Sequence, residues 1–121
     1  MRTLTITVQD SGDFFKEAQA AGHRIDAGSG YQGETYSFPS LPLLFQVFTP
    51  RRWELLQKLQ AIGPVSLRSL ARALGRDVKR VHEDVALLIE EGIIERDEDK
   101  KLVVPFASIT IEAHLTAPAA A

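Results

Sequence analysis

"GRDVKRVHEDVALLIEEGIIERD", residues 75 to 97, decides how this chain is read. Val78, Val81, Val85, Leu88 and Ile89 recur at the three-and-four spacing of one helix face. Asp77 stands where an N-cap is needed, because its carboxylate can accept a backbone N–H of the first turn. Gly92 stands where such a helix stops. With the apolar stripe turned toward a core, Lys79, Arg80, His82 and Glu83 point outward near the N-terminal end. Glu90 and Glu91 lie at the far end. A basic front and an acidic rear give the helix a polarity: the front suits a polyanion and the rear repels one.

The flanking sequence extends the pattern in both directions. Ser66 caps "SLRSLARAL", whose Leu67, Leu70, Ala71 and Leu74 form an inward face, and Gly75 suits a left-handed C-cap. Before it, Thr49 is an N-cap and Pro50 takes the first helical position of "PRRWELLQKLQAIG". Leu55, Leu59 and Ile62 make a stripe there, with Leu56 beside it. Trp53 reads as a packing residue rather than a base-stacking one. Gly63-Pro64 ends that helix. After Gly92, "IIERD", "EDK" and "KLVVP" read as strand, tight acidic turn and strand.

Helix, capped helix, "LGRD" turn, helix and hairpin follow the order of a winged helix-turn-helix. The run "VSLRSLARALGRDVKRVHEDVALLIEEGIIER" resembles the MarR-type winged-helix regulators. Joined to "TPRRWELLQKLQ", it is similar to a family of small MarR-like DNA-binding proteins. Members of that family are often encoded beside a small toxin, as the antitoxin of a two-gene operon. The resemblance spans residues 49–115. It implies a sequence-specific regulator of transcription that binds double-stranded DNA at an operator, represses its own operon and pairs with a cognate toxin. In that arrangement helix 66–74 braces helix 77–91, which enters the major groove, a channel wide enough for one helix. The candidate DNA-contacting residues are Arg68, Arg76, Lys79, Arg80, His82 and Glu83. Arg76 meets a phosphate, helped by the positive end of the helix. Arg96 and Lys101 are candidates on the wing, where Asp97, Glu98 and Asp99 oppose phosphate and limit its contribution.

Charge distribution supports a polyanion partner although the total does not. The formal net charge is −2. Residues 51–80 hold eight basic residues against Glu54 and Asp77, a local surplus of six positive charges. Residues 81–121 reverse it, with nine acids against Arg96, Lys100 and Lys101. A polyanion feels the local footprint within a Debye length of about 10 Å. The chain has no cysteine, which excludes disulfides and thiolate metal sites. No run approaches the ~20 apolar residues of a membrane span, and "MRTLTITVQD" lacks the pattern of a secretory leader. These features give a cytoplasmic protein without a membrane partner.

The first 48 residues carry no motif. "TLTITVQD" alternates as a half-buried strand. Asp10, Ser11 or Asp13 can cap a short helix that Gly22 stops, and "DAGSGYQG" is a turn. "ETYSF" is a second strand, and Ser40 caps a helix with Leu41, Leu44, Phe45 and Phe48 on its stripe. At the other end, "ASITIEAHLT" alternates, with Ile109, Ile111, Ala113 and Leu115 on one face. The fold class is therefore α+β: an N-terminal strand-helix-strand segment (1–48), a winged helix-turn-helix (49–116) with its C-terminal strand, and a tail (117–121). The two alternating strands at opposite ends either pair with each other or pair across a two-fold axis. We expect a homodimer held by these strands and the helix at 40–48, with residues 13–22 and the glycine loop open to a toxin.

Other patterns lead nowhere. Gly28 to Gly33 spell G-x-G-x-x-G, but a helix precedes and a strand follows, the reverse of a dinucleotide fingerprint. His23, His82 and His114 lack metal-ligand spacing, so no metal or cofactor is expected. Ser11, Ser29 and Ser69 have no adjacent base, Glu90-Glu91 read as solvated surface, and nothing makes an enzyme. The rival readings are a winged helix that has turned to protein contacts, a free-standing MarR-like regulator, and a regulator responding to a small molecule.

Overall fold

The computed structural model describes residues 2–9, 22–25, 33–115 and 117. The alternating run at the start forms β1 (Thr3–Val8), which buries Leu4 and Ile6 and turns its threonines the other way. The remaining elements are β2 (Gly22–Ile25), β3 (Glu34–Phe38), α1 (Leu41–Val47), α2 (Pro50–Ile62), α3 (Leu67–Leu74), α4 (Val78–Glu90), β4 (Glu95–Arg96), β5 (Leu102–Val103) and β6 (Ser108–Glu112). The architecture is α+β. No helix among the described residues is long and apolar enough to cross a membrane.

β1 lies between β3 and β6 and runs parallel to both. Leu4 stands opposite Glu34 and Ile109, and Ile6 opposite Tyr36 and Ile111. β2 pairs antiparallel with β3, giving the order β2-β3-β1-β6. The strands from the two ends of the chain thus pair with each other. Both edges of β1 are occupied, so its edge cannot join a second copy. The sequence reading puts a helix stop at Gly22, whereas a strand begins there. The helix expected before it, with Asp10, Ser11 or Asp13 as cap, and most of the glycine-rich turn lie outside the described residues.

The helices begin where their caps dictate. The side chains of Ser40, Thr49, Ser66 and Asp77 accept from the backbone N–H groups of Leu43, Arg52, Ser69 and Arg80, satisfying donors that have no partner inside the helix. α3 stops at Gly75, whose φ of 66° and ψ of 32° are left-handed. Gly63 answers a different need. A Cβ there would lie 2.7 Å from the Leu59 carbonyl oxygen, so a larger residue does not fit where α2 gives way to the next loop. That loop is pinned to the hairpin by two backbone bonds between Val65 and Leu102, at 3.2 and 2.8 Å.

One core joins these parts. The inner sheet face (Leu4, Ile6, Tyr36, Phe38) and the helical Leu55, Leu59, Leu70, Val81, Val85 and Leu88 belong to one buried cluster with Leu102 and Phe106. An aromatic run crosses it: Tyr36 stacks on Phe38, Phe38 meets Phe48 edge-on, and Phe48 meets Trp53 edge-on. Trp53 therefore packs, as its position in α2 suggests. Arg2 fastens the sheet to the hairpin. Its Nε and Nη2 make a two-pronged pair with buried Glu34 at 2.8 and 2.9 Å, while Nη1 reaches Glu95 at 3.1 Å. The guanidinium also lies 4.9 Å from the Phe106 ring centre. Bonding to the Glu34 carboxylate holds the Arg2 pKa above its ordinary value.

Several apolar positions depart from the expected stripes. Phe45 is 60% exposed, because the seven-residue α1 turns Leu44 to the sheet and Phe45 lies one residue further round. Val78 is 36% exposed at the first residue of α4, before the helix packs, and Ile62 is exposed at the last residue of α2. β6 ends at Glu112, which leaves Ala113 and Leu115 beyond the strand and exposed.

Candidate nucleic-acid interface

α3 and α4 are joined through Gly75, whose backbone lies in the left-handed region, and the buried Leu70 and Ala71 of α3 share a core with Val81, Val85 and Leu88 of α4. That packing fixes which side of α4 is free. Lys79, Arg80, His82 and Glu83 are all exposed, in its first two turns. The structure brings these four together on one element. Arg68 is exposed on α3, and Lys101 is exposed on the hairpin.

Arg76 is placed differently from the sequence reading. Its Nη2 donates to Asp84 Oδ2 at 2.8 Å, and the side chain is only 18% exposed. The other Asp84 oxygen accepts from Arg52 Nε at 3.0 Å. Arg52 also donates from Nη1 to the carbonyls of Gln46 and Val47, at 2.8 and 3.2 Å. One carboxylate thus bridges two guanidinium groups. The cluster ties the end of α1 to the start of α2 and to the body of α4 with charge-assisted bonds. Part of the positive surplus in residues 51–80 is therefore spent inside the molecule. The exposed remainder is Arg51, Lys58, Arg68, Arg72, Lys79 and Arg80.

The hairpin is organised by its own acids. Asp97 Oδ1 accepts from the backbone N–H groups of Asp99 and Lys101, both at 2.9 Å, and Lys100 takes a positive φ of 63°. Arg96 Nη1 donates to the Lys100 carbonyl at 3.3 Å, which turns this guanidinium toward its own turn. Asp97 thus has a local purpose: it closes a tight turn.

Glu91 departs from the solvated reading of the pair at 90–91. It accepts a hydrogen bond from the Tyr36 hydroxyl and tethers the rear of α4 to the sheet. Burial, then the bond to that carboxylate, pushes the Tyr36 pKa above its ordinary value. His82 and His114 are both exposed, and no group of three His, Asp or Glu among the described residues could hold a metal.

Arg51 is the residue that sequence reasoning misses. Together with Arg52, Arg76 and Arg80 it lines a cleft of about 500 Å³ where the start of α2 faces the first turns of α4. Helical periodicity marks Arg51 only as solvated; its place on the same cleft as Arg80 follows from the tertiary approach of the start of α2 to α4, which Arg52 and Asp84 tie together.

The sequence model of one protein family, HVO_A0114, matches residues 47–111, from the end of α1 through most of β6. No curated protein matches the chain. The matched stretch is more than half of the sequence and contains α2, α3, α4 and the hairpin with every candidate residue named above, and on that ground the chain belongs to the HVO_A0114 family.

Proposed function

We propose that residues 49–116 act as a winged helix-turn-helix that binds double-stranded DNA, with α4 in the major groove, α3 bracing it and the β4–β5 hairpin alongside. The observation that carries this reading is the exposed row Lys79, Arg80, His82 and Glu83 on a helix whose opposite side is locked in the core. Phosphate contacts from Arg68, Lys79 and Lys101 supply most of the affinity, and Arg80 with its neighbours selects the site. The protein acts as a homodimer on a pseudo-palindrome with half-sites about 34–36 Å apart. In line with the MarR-like resemblance, the operator is its own, and the protein is the antitoxin of an adjoining toxin gene. A toxin-sized reading frame next to the gene supports that role; its absence leaves a free-standing regulator.

Arg80→Ala tests the assignment. If Arg80 pairs with a guanine, its loss weakens operator binding by about 1–3 kcal/mol in a gel-shift titration and relaxes the base preference at one position. Unchanged operator affinity removes α4 from the interface. A second reading, a protein-interaction module without DNA, rests on Leu43 and Phe45, which α1 leaves exposed. A wild type that binds no duplex but captures a protein partner, with that capture lost in Phe45→Ser, favours the second reading over the first.

A further inference from the structure

The cleft between the start of α2 and the first turns of α4 is not a generic basic surface. Four arginines line it, Arg51, Arg52, Arg76 and Arg80, together with Glu83 and Asp84. Asp84 has one oxygen on Arg52 and the other on Arg76, so its bonding to these two is complete. Arg76 still has Nε and Nη1 buried with no acceptor among the described residues. Buried donors in native proteins are nearly always paired, with protein, water or a bound group. Arg51 and Arg80 are exposed and make no ion pair among the described residues. The N-terminal end of α2 opens on the same cleft at Thr49 and Pro50 and adds its positive field. About 500 Å³ is within the size range of ligand sites.

We infer that this cleft is a phosphate seat. Two surplus positive charges, a helix N-terminus and planar arginine forks suit a tetrahedral phosphate better than a lone carboxylate. Glu83 also lines the cleft, and its negative charge opposes a second anion there. The phosphate comes either from the backbone of a duplex lying along α4 or from a free phosphoanion. The first source rests on the DNA reading above; the second does not. Because Arg80 belongs both to the cleft and to the exposed row of α4, a free phosphoanion in the seat competes with DNA for the same guanidinium.

The test uses the full chain and the variants Arg51→Ala and Lys58→Ala. Lys58 is an exposed cation of α2 that does not line this cleft. One arm records the thermal midpoint in inorganic pyrophosphate against sodium chloride of equal ionic strength. The other measures affinity for operator and scrambled duplexes across a salt series. We expect pyrophosphate to raise the midpoint of the wild type and of Lys58→Ala but not of Arg51→Ala. If the backbone is the source, Arg51→Ala weakens both duplexes by one common factor and flattens the log–log salt slope by about 0.9. Loss of the pyrophosphate shift with an unchanged slope assigns the seat to a free phosphoanion. A flattened slope without any pyrophosphate shift assigns it to the backbone alone. No pyrophosphate shift and an unchanged slope, in a protein that still binds DNA, overturns the seat and leaves the DNA reading standing. An equal loss in Lys58→Ala also overturns it, since the effect is then diffuse charge. A wild type that binds pyrophosphate and no duplex keeps the seat and ends the DNA reading; one that binds neither ends both.

Discussion

A single carboxylate, Asp84, holds the basic face of this protein in shape. Its two oxygens are divided between Arg52 and Arg76, all three side chains being less than one-fifth exposed. Asp84→Ala leaves two neighbouring, largely desolvated guanidinium groups without their counter-charge. We expect a loss of about 3 kcal/mol in urea unfolding, the lower end for breaking a buried pair, because some exposure remains. The same change raises the local positive charge, so non-specific duplex binding of the folded fraction strengthens while stability falls. Parallel decline of both means that Asp84 supports the surface more than it neutralises it. This cluster was illegible in the sequence. Arg52 and Asp84 are 32 residues apart, and no periodicity links them. The exposed row Lys79, Arg80, His82 and Glu83 was legible, because it is the complement of the buried valines on the same helix.

At the scale of the element, local chemistry is followed closely. Four capping side chains start four helices, and Gly75 stops α3 in the left-handed region. Nothing lies within 4 Å of a Cβ added at Gly75. Gly75→Ala therefore meets no clash and bears only the backbone cost, about 1–2 kcal/mol. A fall of that size in the unfolding free energy, with the salt dependence of DNA binding unchanged, is the expected result. A larger loss means the α3–α4 turn itself has moved. Strand β2 and the exposed ends of the stripes were not legible. Whether Phe45, Ile62 or Val78 is covered depends on where a neighbouring element stops, and the pattern within one helix carries no such information. The pairing of the two terminal strands was one of two readings that the alternation allowed, and the parallel register of β1 with β6 decides it.

Across the whole molecule, the sheet and the helical half meet through a few polar ties over the shared core. Arg2 joins Glu34 of β3 and Glu95 of the hairpin, and Tyr36 joins Glu91 behind α4. Arg2→Ala removes the arginine from a glutamate that is 3% exposed. We expect about 1–3 kcal/mol of destabilisation, limited by the partial exposure of Arg2 itself. Tyr36 gives a pH signature. Its pKa is raised in the folded state, so its contribution is complete below the ordinary tyrosine value of about 10 and fades as pH climbs beyond it. Tyr36→Phe abolishes that alkaline decline in a melting series from neutral pH upward; an unaltered decline assigns it to other groups. These ties place the hairpin and α4 relative to the sheet, and so set the angle at which the basic face is offered.

The most direct measurement is fluorescence anisotropy of a labelled duplex from upstream of the gene, titrated with the wild-type protein at several salt concentrations. A scrambled duplex of the same length serves as comparison. We expect saturable binding that weakens steeply and linearly in log–log form as salt rises, with the upstream duplex favoured by about a thousandfold or more. Binding that ignores salt, or no binding to either duplex, contradicts that expectation.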